Sequence, residues 1–207
     1  LNRCWLEARE VRTSTINMST EEPLRHMIQG LPGAGKSELI KWIRRAFEEL
    51  FHLRHGVHYV CLASQNTMAS LIDGFTNHSW GGVPVTKGQL EQWQNTNWNT
   101  PQVSPLFEKN QHLRWILMDE GSTTSAEVFG IIESNVTRST RTTGTWKVRK
   151  NTDDIRPFGG CNLLFFVDWW QLPPVKSIDL KSTPYPENAA SPMVQKSLTF
   201  FWNRSID

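Results

Sequence analysis

Cysteine is scarce in this chain. Cys4, Cys61 and Cys161 are the three in 207 residues, and they lie too far apart for metal-ligand spacing. An odd count also argues against a disulfide framework and points to a reducing, intracellular compartment. Charge of one sign is lacking too. Lys and Arg number 22 against 20 Asp and Glu, so the global balance neither favours nor excludes a nucleic-acid partner, and local clustering has to decide. The longest apolar run, Asn162-Leu-Leu-Phe-Phe-Val167, falls well short of the roughly 18 residues of a membrane span, so no membrane partner is expected. The opening Leu1-Asn-Arg-Cys-Trp5 has no apolar signal core. It has no initiator Met either, so an upstream start is expected. Tyrosine is rare, with two residues against ten tryptophans. Most Trp are expected as core or groove-edge anchors, and a minority could stack on bases.

What is present is an alternation of strands and helices. Residues 1–22 are polar and mixed, and read as a poorly ordered lead-in. Leu24 to Gln29 is a short strand candidate that runs into a glycine-rich turn. From Lys36 to Phe51, the apolar residues Leu39, Ile40, Ile43, Phe47, Leu50 and Phe51 recur at helical spacing. Val57 to Ala63 predicts a second strand, and a helix follows near Asn66–Ile72. Residues 81–112, rich in Trp, Gln, Asn and Pro, show little periodicity. Arg114 to Met118 predicts a third strand, Ser125 to Val136 a helix, and Leu163 to Val167 a central strand covered on both faces. Residues 137–157 read as a loop carrying Arg138, Arg141, Lys147, Arg149, Lys150 and Arg156, interrupted by Asp153 and Asp154. Such a loop either tracks phosphates or is simply solvated. The expected fold is α/β, with a mainly parallel sheet covered by helices on both faces. Ligands then bind beyond the carboxyl ends of the strands, where the glycine turn, Asp119-Glu120 and Asp168 all fall.

Gly30, Leu31, Pro32, Gly33, Ala34, Gly35, Lys36 and Ser37 complete the pattern G-x-x-x-x-G-K-[ST] between a strand and a helix. Glycines there let backbone N–H groups turn inward around phosphates, at the positive end of the following helix. Lys36 is placed to reach the β- and γ-phosphates of ATP and Ser37 to ligate Mg²⁺. Ile116-Leu-Met-Asp119-Glu120 supplies the expected partner. An apolar strand ending in a carboxylate can hold Mg²⁺ through Asp119, while Glu120 can orient or deprotonate the attacking water. The pair favours hydrolysis over a switch or a small-molecule kinase.

Val167-Asp-Trp-Trp-Gln-Leu-Pro-Pro-Val175 resembles motif III of Pif-type superfamily-one helicases, whose usual form is Gly-Asp-Phe-Phe-Gln-Leu-Pro-Pro-Val. Pro157-Phe-Gly-Gly160 matches the run-in of that family, and Asp119-Glu-Gly-Ser122 is similar to its Asp-Glu-Ile-Ser. Ala63 to Ala69, then Gly74-Phe-Thr-Asn-His-Ser79, resembles motif Ia and the Thr-x-His-Ser element after it. The matches follow family order from Gly30 to Val175. The resemblance implies a RecA-like fold and a 5′-to-3′ DNA helicase motor domain, of Pif type or from a related transposon helicase. It implies that Gln171 contacts the γ-phosphate, and that residues 64–79 face single-stranded DNA. Ser64, Thr76, His78 and Trp80 are the DNA-facing candidates. Trp169 and Trp170 either pack beneath the nucleotide loop or stack on bases. Roles in DNA repair, recombination and telomere maintenance, and a nuclear or mitochondrial location in a eukaryote, are likewise implied by the family.

The sequence departs from the family at several points. Val167 replaces a glycine, Ser64-Gln-Asn66 replaces Pro-Thr-Gly, and no glutamine-bearing base motif is recognisable before Pro23. Nothing after Val175 resembles motifs IV to VI, which carry the second RecA-like domain and its arginine finger. The expected organisation is therefore a RecA-like domain over 23–180, with 181–207 beginning the connection to a missing second domain. A fragment of this kind should hold ATP and hydrolyse it slowly. The rivals are a non-catalytic DNA- or nucleotide-binding relic and another P-loop NTPase.

Overall fold

The computed structural model describes residues 2–13, 22–95, 110, 112–140, 155–174, 177–183 and 191–202. Five parallel strands form one sheet in the order β1-β5-β4-β2-β3. They are β1 (Arg25–Gln29), β2 (Tyr59–Ala63), β3 (Phe75–Thr76), β4 (Trp115–Met118) and β5 (Asn162–Val167). The helices are α1 (Asn2–Thr13), α2 (Lys36–Glu49), α3 (Asn66–Leu71), α4 (Asn77–Gly81), α5 (Lys87–Asn95), α6 (Ala126–Thr140) and α7 (Pro192–Trp202). Each element expected from Leu24 to Val167 is found within a few residues of its expected bounds.

Alternation along the strands divides the core into two layers. Val60, Leu62, Ile116, Met118, Leu163, Phe165 and Val167 point into the layer that α4 and α6 cover. Tyr59, Cys61, Ala63, Trp115, Leu117, Leu164 and Phe166 point into the layer covered by α1, α2 and α3. Strands β2, β4 and β5 are buried along their whole length, which is why their sequences lack the polar alternation of a half-exposed strand.

Three parts differ from the sequence reading. Residues 2–13 form α1, not a poorly ordered lead-in. Ala8 is buried, and so is Glu7, whose carboxylate accepts from Asn162 Nδ2 at 3.0 Å and from the Arg114 guanidinium at 3.3 Å. Glu10 meets the same guanidinium at 2.9 Å. The polar character of the segment comes from these buried partners at the starts of β4 and β5.

At the other end, α7 packs into this core. Val194 and Leu198 are buried, and the Phe201 ring lies edge-on to Phe129 of α6 at 5.1 Å. The basic loop is also narrower than its sequence suggests. Arg138 belongs to α6, its guanidinium 5.0 Å from the Trp93 ring, and Arg156 is buried with Glu22 at 3.7 Å. Arg141, Lys147, Arg149, Lys150, Asp153 and Asp154 lie outside the described residues.

Candidate functional site

The site forms where β1, β5 and β4 end side by side. Strand β5 runs between β1 and β4, so Asp168 emerges between the glycine loop and the acidic pair. The loop is anchored to β5 by Gly30 N–H donating to Val167 O at 3.1 Å. Gly35 precedes α2 at φ 84°, a left-handed conformation that strains any residue with a side chain. Helix α2 then presents its N-terminal amides to the crevice.

Lys36 is half-buried and donates from Nζ to the carbonyl oxygens of Gly30 at 2.6 Å and Leu31 at 3.1 Å. Ser37 Oγ donates to Asp119 Oδ2 at 3.1 Å, which brings the two expected Mg²⁺ ligands together. Asp119 is 1% exposed, and its other oxygen accepts from Glu120 N–H at 2.9 Å. Burial pushes the Asp119 carboxyl above the usual carboxylate range, against the lowering effect of these bonds and of Lys36.

Glu120 adopts φ 54° and ψ 39°, left-handed backbone that is costly outside glycine. Gly121 follows it because a Cβ there would run into the Phe165 ring. The Glu120 carboxyl is also raised, first by burial and then by the neighbouring Asp119 charge, with Lys36 and a hydrogen bond from Gln171 opposing. A carboxyl held up in this way is better matched to taking a proton from water.

Asp168 carried no role in the sequence reading. It is 1% exposed, with Oδ1 accepting from Trp170 N–H at 3.1 Å. Its Oδ2 has no hydrogen-bond partner among the described residues and lies 3.9 Å from Lys36 Nζ. A carboxylate straight after a fully apolar strand, in the same position as Asp119, was the available signal. Trp169 packs against the core, while Trp170 is 80% exposed.

The DNA-facing candidates divide. Ser64 and Thr76 stand at the carboxyl ends of β2 and β3, where Ala63 and Thr76 are paired in register. Ser64 Oγ lies 2.7 Å from Thr123 Oγ1, and Thr76 Oγ1 caps α4 by accepting from Ser79 N–H at 3.2 Å. His78 is exposed on the same edge. Trp80 is not available for stacking. It is 5% exposed and packed within the core against the α6 side of the sheet, because α4 turns positions 77, 80 and 81 inward and 78 and 79 outward.

The described residues contain no group of three His, Cys, Asp or Glu side chains able to hold a metal ion by themselves. Nor do they contain a helix long and apolar enough to cross a membrane.

Comparison with known proteins is consistent with this geometry. Residues 7–190 match the family model described as PIF1-like helicase. Among curated proteins, the chain is 24% identical over 165 residues to the ATP-dependent DNA helicase RRM3 of Saccharomyces cerevisiae, covering 79% of this chain and 20% of that protein. It is 27% identical over 184 residues to the ATP-dependent DNA helicase PIF1 of Emericella nidulans, covering 86% and 20%. Among solved structures, a Bacteroides Pif1 helicase in complex with ADP-AlF3 and ssDNA superposes with a TM-score of 0.51 at 20% identity, over 83% of this chain and 33% of that one. Pif1 helicase from Candida albicans gives 0.51 at 19%, over 96% and 37%. The chain thus spans 20% of each of these two curated relatives and 33% to 37% of these two solved chains.

Proposed function

The chain belongs to the PIF1-like helicase family, and on that premise we propose that it is the first motor domain of an ATP-dependent DNA helicase. In this reading it binds and hydrolyses Mg-ATP in the crevice at the ends of β1, β5 and β4, coupled to movement on single-stranded DNA. The observation that carries the reading is the convergence of Lys36, Ser37, Asp119, Glu120, Asp168 and Gln171 on one crevice.

Each residue has a physical task there. The loop amides from Gly33 to Ser37 and the α2 N-terminus take the phosphates. Lys36 leaves the Gly30 and Leu31 carbonyls for the β- and γ-phosphate oxygens, a stronger charge-assisted partner. Ser37 Oγ and Asp119 form a hard-oxygen pair of the kind that would hold Mg²⁺. Held there, the ion would supply charge neutralisation at the phosphates. Glu120 orients the attacking water and accepts its proton. Gln171, with both donor and acceptor on its amide, bridges Glu120 and the γ-phosphate and registers the loss of that phosphate.

The edge bearing Ser64, Thr76 and His78 is the proposed DNA face. A second RecA-like domain is the proposed partner across it, supplying the arginine for transition-state charge. An intracellular setting, in nucleus or mitochondrion if the source is eukaryotic, and a part in DNA repair, recombination or telomere maintenance belong to the same reading.

The test is ATP and oligonucleotide binding by the chain. Mg-ATP should bind by calorimetry, and labelled oligothymidine should bind weakly with affinity that falls steeply as salt rises. Failure to bind Mg-ATP would remove the motor assignment, and failure to bind any oligonucleotide would remove its DNA half.

A further inference from the structure

We propose that Thr123 is a positioning residue that links the DNA face to Glu120 through a relay of hydroxyl groups which a DNA phosphate resets. The proposal rests on the reading of the crevice and its neighbouring edge as a DNA-coupled ATP site. Thr123 Oγ1 lies 2.9 Å from the Glu120 carbonyl oxygen and 2.7 Å from Ser64 Oγ.

The direction of these bonds follows from counting hydrogens. A carbonyl oxygen only accepts, so the one hydroxyl hydrogen of Thr123 goes to Glu120. Ser64 must then be the donor to Thr123, and its single hydrogen is committed too. A phosphate oxygen reaching Ser64 also only accepts. To donate to it, Ser64 turns its hydrogen away from Thr123 and offers a lone pair instead. Thr123 then donates to Ser64, and the Glu120 carbonyl loses one of its two donors. The other, Thr123 N–H at 3.1 Å, remains. No bond is made or broken beyond these hydrogen bonds.

Glu120 is the residue at which such a loss is felt. Its backbone is left-handed at φ 54°, a conformation that persists in a residue with a side chain only when its surroundings hold it. The hold is applied at both ends, by Asp119 Oδ1 on the Glu120 N–H at 2.9 Å and by Thr123 on the carbonyl. The flanking positions cannot yield in its place. Gly121 is pressed against Phe165, and Thr124 Oγ1 accepts from Asn77 Nδ2 at 3.0 Å, within buried surroundings. Asn77 precedes the exposed His78, so the 120–124 turn is bridged to both segments of the DNA face. Slackening the carbonyl end lets the Glu120 carboxylate swing relative to the γ-phosphate, with which it shares the crevice.

The relay therefore couples oligonucleotide to a nucleoside triphosphate, and not to a diphosphate, which lacks the group that Glu120 faces. The experiment measures affinity for a non-hydrolysable Mg-ATP analogue and for Mg-ADP, with and without saturating oligothymidine. For the wild type, oligothymidine should change analogue affinity by at least about fivefold, with the same factor in reverse, and leave Mg-ADP unaffected. Thr123→Val deletes the same donor permanently, so without oligothymidine it should bind the analogue as wild type does with it, and its coupling factor should fall to about one. Its Mg-ADP affinity should stay within about twofold of wild type, and Thr123→Ser should restore the wild-type pattern. Ser64→Ala, which removes the donating hydrogen at the far end, should also abolish the coupling; it keeps the test decisive if Thr123→Val does not fold. Wild-type coupling retained in Thr123→Val or in Ser64→Ala overturns the relay, and so does binding of both ligands to wild type with no coupling. Absence of any oligothymidine binding by wild type overturns the DNA reading itself, and the relay falls with it.

Discussion

Lys36 Nζ and Asp168 Oδ2 lie 3.9 Å apart, close enough to attract and too far to hydrogen-bond, and the ammonium donates to the Gly30 and Leu31 carbonyls in place of Asp168. The arrangement keeps a positive charge pointed into the crevice without binding it tightly to a competitor. A phosphate can therefore capture Lys36 by displacing two loop carbonyls.

Lys36→Ala should weaken Mg-ATP binding by about 10- to 150-fold, the loss of a charge-assisted contact worth about 1.5–3 kcal/mol. It should also lower the melting temperature, because the buried Asp168 carboxylate then faces no opposite charge. Adding Asp168→Asn should recover stability without recovering ATP affinity, since the amide oxygen can still cap Trp170. Calorimetry and thermal denaturation of the four proteins check both halves. Equal ATP affinity for wild type and Lys36→Ala would sink the phosphate assignment.

Glu120→Gln should bind Mg-ATP and release phosphate about 10²- to 10⁴-fold more slowly, the usual contribution of a positioned base. Its stability should diverge from wild type with pH. Burial and the Asp119 charge raise the folded carboxyl above its unfolded value. Wild type therefore loses stability as pH rises from the ordinary carboxylate range through the raised one, and the glutamine does not. Melting curves should nearly coincide near about pH 4 and separate near about pH 8, with the variant more stable. The reverse order would contradict the raised carboxyl.

His58 provides a change of opposite sign. Burial, then the Arg54, His112 and Arg114 charges, lower it from the usual 6.5 to about 4, and its Nδ1 accepts from Arg54 N–H at 3.0 Å. The stability this neutral ring contributes is complete above about pH 6.5 and is lost as pH falls towards 4. A histidine NMR titration should show one ring with a midpoint near 4, absent in His58→Asn. A midpoint near 6.5 for every ring would refute the lowered value.

Trp80→Ala should cost about 3–5 kcal/mol of folding stability, as for other large aromatic truncations in a packed core. Oligonucleotide affinity of the folded variant should stay close to wild type. A variant of unchanged melting temperature that lost DNA binding would show that the ring reaches the surface.

Much of this architecture could be read from the sequence because local signals and tertiary demands agree there. The Lys36–Phe51 periodicity, the apolar strands and the glycine loop each have a meaning that does not depend on distant residues. Trp80 was misread because its neighbours His78 and Ser79 do face outward. The inward spacing of Asn77, Trp80 and Gly81 was the countersignal. Helix α1 was hidden because Glu7 looks like a surface residue until Arg114 and Asn162, more than a hundred positions away, are placed against it. Asp168 could be placed at a strand end, but only the order β1-β5-β4 reveals that it faces Lys36. Thr123 had no signal at all, since its partner Ser64 comes from a different strand end.

Gly121 and Phe165 constrain one another's substitution. The Pif-type pattern that this stretch resembles has Ile where this chain has Gly121, and a side chain at 121 has no room beside the Phe165 ring. Shrinking the ring at 165 would open that room, but alone it leaves a cavity at a cost of about 2–5 kcal/mol. A side chain at 121 is therefore reached only through a weakened intermediate or by two changes together. The glycine beside Glu120 is thus held in place by a ring that takes no part in the proposed chemistry.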